Sequence, residues 1–189
     1  MFKILRSPKN AENTMLMKTI KRYLPLSILL LNTIFCGAQN NFKSIQKDFK
    51  KLSGSWSGSL TYLDYKSGKP YTMPADLEVK RLGKNEQFLF SNIYPNEKNA
   101  NSTDTISISK DGKFIGKEVV KSRRKLFTGD IEIITEESGK DGNDNKPATF
   151  RHIYTLGSST YTNRKDVQFT GETRWINRHE YTYKKKSRG

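Results

Sequence analysis

The chain has 189 residues and one cysteine, so it has no disulfide framework and no set of thiolates to hold zinc. Its 34 Lys+Arg against 19 Asp+Glu give a formal net charge of +15 at pH 7. In a cytoplasmic protein that surplus would point to nucleic acid, but the N-terminus directs the chain elsewhere.

Leu24 to Phe35 is an apolar run broken by Pro25, Ser27 and Asn32. A spanning helix needs roughly 20 mostly apolar residues, so the run is too short to cross a bilayer and fits a secretory signal. Lys18, Lys21 and Arg22 supply the basic flank, and Cys36-Gly37-Ala38 places small residues for cleavage after Ala38. Residues 1–38 are therefore expected to be removed, with Met17 the better start and residues 39–189 the working domain. Lipidation of Cys36 is disfavoured by the bulk of Phe35 before it. Export, to the periplasm or beyond the cell, is the expectation. Without the six basic residues and one acid of that segment, the balance is 28 against 18, or +10. In that compartment the charge suits anionic lipid, polysaccharide or an acidic ligand, and no nucleic acid.

Phe42, Ile45, Phe49 and Leu52 recur at helical spacing, with lysines on the other faces and Ser53-Gly54 as the stop. This predicts a short amphipathic helix that plugs whatever follows; a helix lying on a membrane surface is the alternative. From residue 55 the period becomes two. Trp56, Gly58, Leu60 and Tyr62 share a face, and Lys66–Lys69 turns the chain. Tyr71 to Val79 alternates next, with Pro74 marking an edge or bulge. After Gly83-Lys84-Asn85 come Phe88 and Phe90, then Ile106 and Ile108. Lys110-Asp111-Gly112-Lys113 is a hairpin turn. Phe114, Gly116 and Val120 form one stretch, and Ile131 and Ile133 another. A polar loop is expected over Ser138–Pro147. Phe150 to Leu156, Tyr161 to Phe169, and Trp175 to Tyr183 complete the series.

About ten short strands with hairpin-short connections predict an all-β protein. Closure into a single antiparallel up-and-down barrel removes exposed edges, whereas a two-sheet sandwich would need longer crossovers.

Leu52-Ser53-Gly54-Ser55-Trp56 places a G-x-W on the first strand, just after a short helix, which resembles the lipocalin-like or calycin barrels. The resemblance extends in outline from Leu52 to Tyr183. It implies that Trp56 closes one barrel end beside an arginine of the last strand, for which Arg178 is the candidate. A guanidinium on an indole gains cation–π attraction and bars water from the floor. Two departures limit the carry-over. Asp64-Tyr65 lies on the first hairpin rather than far along the chain. Arg178 and Tyr181 alternate onto opposite faces, so the carboxylate site of the fatty-acid-binding branch is not transferred.

The expected interior wall is Tyr62, Phe88, Phe90, Phe114, Phe150, Tyr154 and Tyr181, with Asn177 and His179 as polar anchors. Asn92, Glu118 and His152 share those faces by parity. Aromatic-walled interiors hold apolar or planar ligands, oriented by a few polar groups. His152 and His179 invite a heme or metal reading, since some nitrobindin-type barrels hold heme through one histidine. Zinc wants three or four ligands, so no metal and no cofactor is expected. Asp141–Asn145 lacks the glycine and glutamate of a calcium loop, and Gly54–Gly58 lacks the serine of a nucleophile elbow. No catalytic set can be placed, so no enzyme activity is expected.

Lys121, Arg123, Arg124 and Lys125 form the densest basic patch, an anion-docking rim. The reading is an exported monomeric carrier of a small, partly apolar or amphipathic ligand. The alternative is a surface-interaction module that docks on anionic envelope lipid or polysaccharide through that rim.

Overall fold

The computed structural model describes residues 42–187 apart from 84 and 85. The expected signal segment, its cleavage after Ala38, and Cys36 lie outside the described residues.

A 3₁₀ turn, Phe42–Ser44, leads into the helix α1, Ile45–Lys50. Eleven strands follow. The first five are β1 (Gly54–Leu63), β2 (Pro70–Pro74), β3 (Asp76–Leu82), β4 (Gln87–Ile93) and β5 (Ser102–Ser107). Then come β6 (Phe114–Ile115), β7 (Glu118–Lys125), β8 (Ile131–Asp141), β9 (Lys146–Leu156), β10 (Thr160–Phe169) and β11 (Ile176–Lys185). The sheet order is β5-β4-β3-β1-β11-β10-β9-β8-β7-β6, all neighbours antiparallel. An isolated bridge from Ile108 to Ile115 brings the two ends of this order together, so the barrel of ten strands is nearly closed.

The stretch read as one strand over Tyr71–Val79 is two. β1 pairs with β3 through Gly54–Trp56 and with β2 through Ser59–Leu63, and the chain steps between them at Ala75. Ala75 is fully buried, and its amide donates to Gly58 O at 3.0 Å. The loop expected over Ser138–Pro147 is much shorter. β8 and β9 remain paired out to Asp141–Lys146, and only Gly142–Asn145 turn.

One end of the barrel is plugged by α1. Ile45, Phe49 and Leu52, the helical stripe, are each at most 1% exposed. The Phe49 ring lies 6.1 Å from Phe88, 6.4 Å from Phe90 and 5.7 Å from Tyr154. Burying side chains of this size contributes roughly 1.5–3 kcal/mol each. Trp56 completes this floor: it is 1% exposed, and its Nε1 donates to Leu52 O at 2.7 Å.

The cation over Trp56 is not Arg178. In the β1–β11 register Trp56 faces Lys185, whose Nζ is 5.1 Å from the indole centre. Arg178 lies towards the other end of β11, donating to Asp141 at 2.7 Å with Tyr65 and Phe169 beside its guanidinium.

Candidate functional site

Above the plug, the inward faces of the strands enclose a cavity of about 370 Å³. Its apolar wall is Leu77 (β3), Phe90 (β4), Ile106 (β5) and Ile115 (β6), faced by tyrosines of β9, β10 and β11. Tyr161, Tyr183 and Tyr181 form a stacked ladder, with centroid spacings of 5.8 Å and interplanar angles of 13° and 10°. The ladder follows from register: Tyr161 pairs with Tyr183, and Tyr181 lies two residues along the same face. At its outer end Tyr181 shares a hydrogen bond of 2.7 Å between its hydroxyl and that of Tyr94.

The opposite wall is polar. Glu118 (β7), His152 and Tyr154 (β9), and Asn163 of β10 across from Tyr154 line it, and Thr135 and Glu137 of β8 stand behind Glu118 and His152. Tyr154 Oη donates to Glu118 Oε2 at 2.8 Å, and the Thr135 hydroxyl donates to the same oxygen. Burial, reinforced by the Glu118 charge, pushes the Tyr154 phenol well above its ordinary value, so it remains a donor. Burial raises Tyr161, Tyr181 and Tyr183 as well. Two buried atoms of the lining have no hydrogen-bond partner among the described residues, His152 Nδ1 and Asn163 Oδ1, while Glu137 Oε2 behind it is ion-paired with Lys117 at 3.1 Å. Buried polar atoms are nearly always paired, so such a group marks a place prepared for another donor or acceptor.

Of the expected wall, Phe90, Tyr154 and Tyr181 line the cavity. Phe88 is fully buried but lies in the floor, against Phe49. Phe150 packs with Ala148 and Val167 in a separate cluster, capped by Lys165 Nζ at 3.8 Å from its ring. Tyr62 packs on Tyr71, 5.6 Å between centroids, and pairs with His179.

Two expectations are corrected. Phe114 is 44% exposed, and Ile115 is the buried residue. The chain reverses at once through Gly116 (φ 57°) into a β6–β7 hairpin, which swaps the faces a continuous strand would have had. Asn177 is exposed and not an anchor. Lys165 pairs with His179 but Asp166 pairs with Asn177, leaving Arg178 as a bulge that turns Asn177 outward.

His179 is partly buried, edge-on to Tyr181 at 5.4 Å, just beyond the cavity lining. Burial, aided by Lys165 and His152 and opposed by Asp141, lowers its pKa from 6.5 to about 4. It is a neutral imidazole at neutral pH.

The rim is also redrawn. Arg123, expected to dock anions, donates to Asp48 of α1 at 2.6 and 3.2 Å and is only 17% exposed. It clamps the plug helix. Arg124 is paired with Glu132 at 2.6 Å and Lys121 with Glu136 at 3.5 Å, and Lys125 is exposed.

Sequence parity reaches Asn92, Glu118 and His152, all of which line the cavity. It also puts Tyr183 inward, and it misses Tyr161 and Asn163 of the lining and Glu137 beside it. For Glu137 the signal is present: it continues the alternation Ile131, Ile133, Thr135.

A scan against protein-family models found no match, and a search of curated proteins found none. Among solved structures the chain is similar to Rv2717c from M. tuberculosis, with a TM-score of 0.52 and 11% identity. That match covers 75% of this chain and 96% of Rv2717c. A structure of a protein of unknown function from the DUF3598 family, from Nostoc punctiforme PCC 73102, matches at a TM-score of 0.40 and 14% identity. It covers 73% of this chain and 48% of that one. The likeness to Rv2717c bears on fold alone. With the nearly closed antiparallel barrel, it fits a calycin-like fold.

Proposed function

We propose that the chain is an exported, lipocalin-like carrier that binds a small, partly apolar ligand non-covalently in its barrel, without transforming it. The observation that carries this reading is the asymmetry of the cavity. A wall of stacked tyrosines and aliphatics faces a polar wall in which buried atoms of His152 and Asn163 have no hydrogen-bond partner among the described residues. A volume of about 370 Å³ lies within the range of small-molecule pockets, roughly 300–1,000 Å³. A ligand with a flat apolar body and one hydrogen-bonding end matches both walls. The docking-module alternative is weaker, because Arg123, Arg124 and Lys121 direct their charge to Asp48, Glu132 and Glu136 of the same chain.

Native mass spectrometry of the protein purified from its own host tests the reading. A single co-purifying small molecule is expected, and it should be missing from Ile106→Trp, which fills the cavity from β5. A clean apo mass in both proteins, with salt-dependent binding to anionic lipid or polysaccharide, would overturn the carrier reading. The same spectra read export: a mass beginning at Gln39 is expected, and retention of residues 1–38 would refute cleavage.

A further inference from the structure

The polar wall brings together three groups of a kind that holds metal ions. Glu118, Glu137 and His152 each place one ligand atom within 4.8 Å of the others. His152 Nε2 lies 3.8 Å from Glu118 Oε1 and 4.0 Å from Glu137 Oε1. A divalent ion such as zinc binds nitrogen and oxygen at roughly 2.0–2.2 Å, which separates neighbouring ligand atoms by about 3–4 Å. The two pairs through His152 already stand at the upper end of that spacing. Sequence reading pairs His152 with His179 and finds too few ligands, because the carboxylates come from different strands.

Burial and local support add to the geometry. The three side chains are only 13–15% exposed, and the two carboxylates lie within 4.8 Å of each other there. Repulsion of that kind favours a shared cation. Glu118 is held by Thr135 through Oε2 and by the Tyr154 hydroxyl, 2.8 Å from Oε2 and 3.1 Å from Oε1, and Oε1 is also the oxygen nearest His152. Hydrogen bonds that fix a carboxylate in this way are typical of metal-ligand support. The imidazole's other nitrogen, Nδ1, is buried without a hydrogen-bond partner among the described residues, so no neighbour fixes Nε2 as the protonated nitrogen. Two lysines are near. Lys117 Nζ is 3.1 Å from Glu137 Oε2 without hydrogen-bond geometry, on a side chain 84% exposed that can swing into solvent. Lys165 pairs with His152 across the strands, but its Nζ sits over Phe150.

We propose that Glu118, Glu137 and His152 form a site for a borderline divalent metal ion of the zinc type. One imidazole and two carboxylates suit such an ion better than magnesium or calcium, which prefer oxygen alone. Three protein ligands leave a coordination position open, beside the cavity that Glu118 and His152 line. The proposal goes beyond the carrier reading, since a barrel that takes up no organic ligand can still hold the ion.

The test uses the whole chain without an affinity tag, carrying Cys36→Ser so that no thiol competes, stripped with chelator and titrated with zinc chloride by calorimetry. One ion per chain is expected. His152→Ala and Glu137→Gln should each weaken binding by at least about tenfold, and Tyr154→Phe by about tenfold. His179→Gln should leave it unchanged. No zinc binding by the folded protein overturns the proposal, as does affinity that survives His152→Ala or Glu137→Gln. X-ray absorption of the zinc-loaded parent chain keeps the test decisive if those variants fail to fold. A shell with one imidazole supports the site, and a shell without imidazole overturns it. Because zinc alone is the probe, a negative result leaves the carrier reading standing.

Discussion

Replacing His179 with glutamine should make the protein less sensitive to acid. Its imidazole has a folded pKa of about 4 against 6.5 when unfolded, mainly because it is buried beside Tyr181 with Lys165 nearby. As pH falls through 6.5 the unfolded chain takes up a proton that the folded chain refuses until about pH 4. The unfolded state therefore binds more protons across that window, and stability drops as pH drops. Above pH 7 this contribution is nearly absent, and at pH 5 it amounts to about 2 kcal/mol of lost stability. Urea denaturation of wild type and His179→Gln at pH 7.5 and pH 5 measures it. The wild type should lose about 2 kcal/mol more than the variant between the two conditions. Equal losses would refute the reasoning, because they would mean that His179 is protonated in place and its end of the barrel is wet.

Arg123→Ala should destabilise the fold by about 3–5 kcal/mol, since among the described residues it leaves buried Asp48 with the exposed Lys51, 3.6 Å away, as its remaining cation. Arg124→Ala, which breaks an exposed pair, should cost under about 1 kcal/mol, and denaturation midpoints distinguish the two. Gly58→Ala should lower the melting temperature and reduce soluble yield. A Cβ there would stand 2.0 Å from Thr182 O, a backbone atom that the β1–β11 pairing holds in place. A Gly58→Ala protein as stable as the parent would contradict that pairing.

These residues also show what was legible in the sequence. The plug helix was readable because Ile45, Phe49 and Leu52 obey a period that only a helix satisfies. The barrel was readable because alternation and short turns recur from Trp56 to Tyr183. Face assignments failed where the backbone is irregular. The tight hairpin at Gly116 exchanged Phe114 for Ile115, and the bulge at Arg178 turned Asn177 outward. A single inserted residue reverses a strand's faces, and nothing in the composition of these segments marks where it falls. The rim failed for another reason. Arg123 and Asp48 are 75 residues apart, so a run of basic residues looked free although one of them is fixed to the plug. The polar wall was half legible: parity reached Glu118 and His152, but their proximity to Glu137 depends on the β7–β8–β9 register.

The central claim is that the barrel interior is a site and not a filled core. Fluorescence titration with a neutral apolar naphthylamine dye tests it most directly, in wild type, Ile106→Trp and Lys125→Ala. One saturable site per chain is predicted for wild type and Lys125→Ala, with affinity at least about tenfold weaker in a folded Ile106→Trp. No saturable binding, or equal binding in all three proteins, would contradict the account.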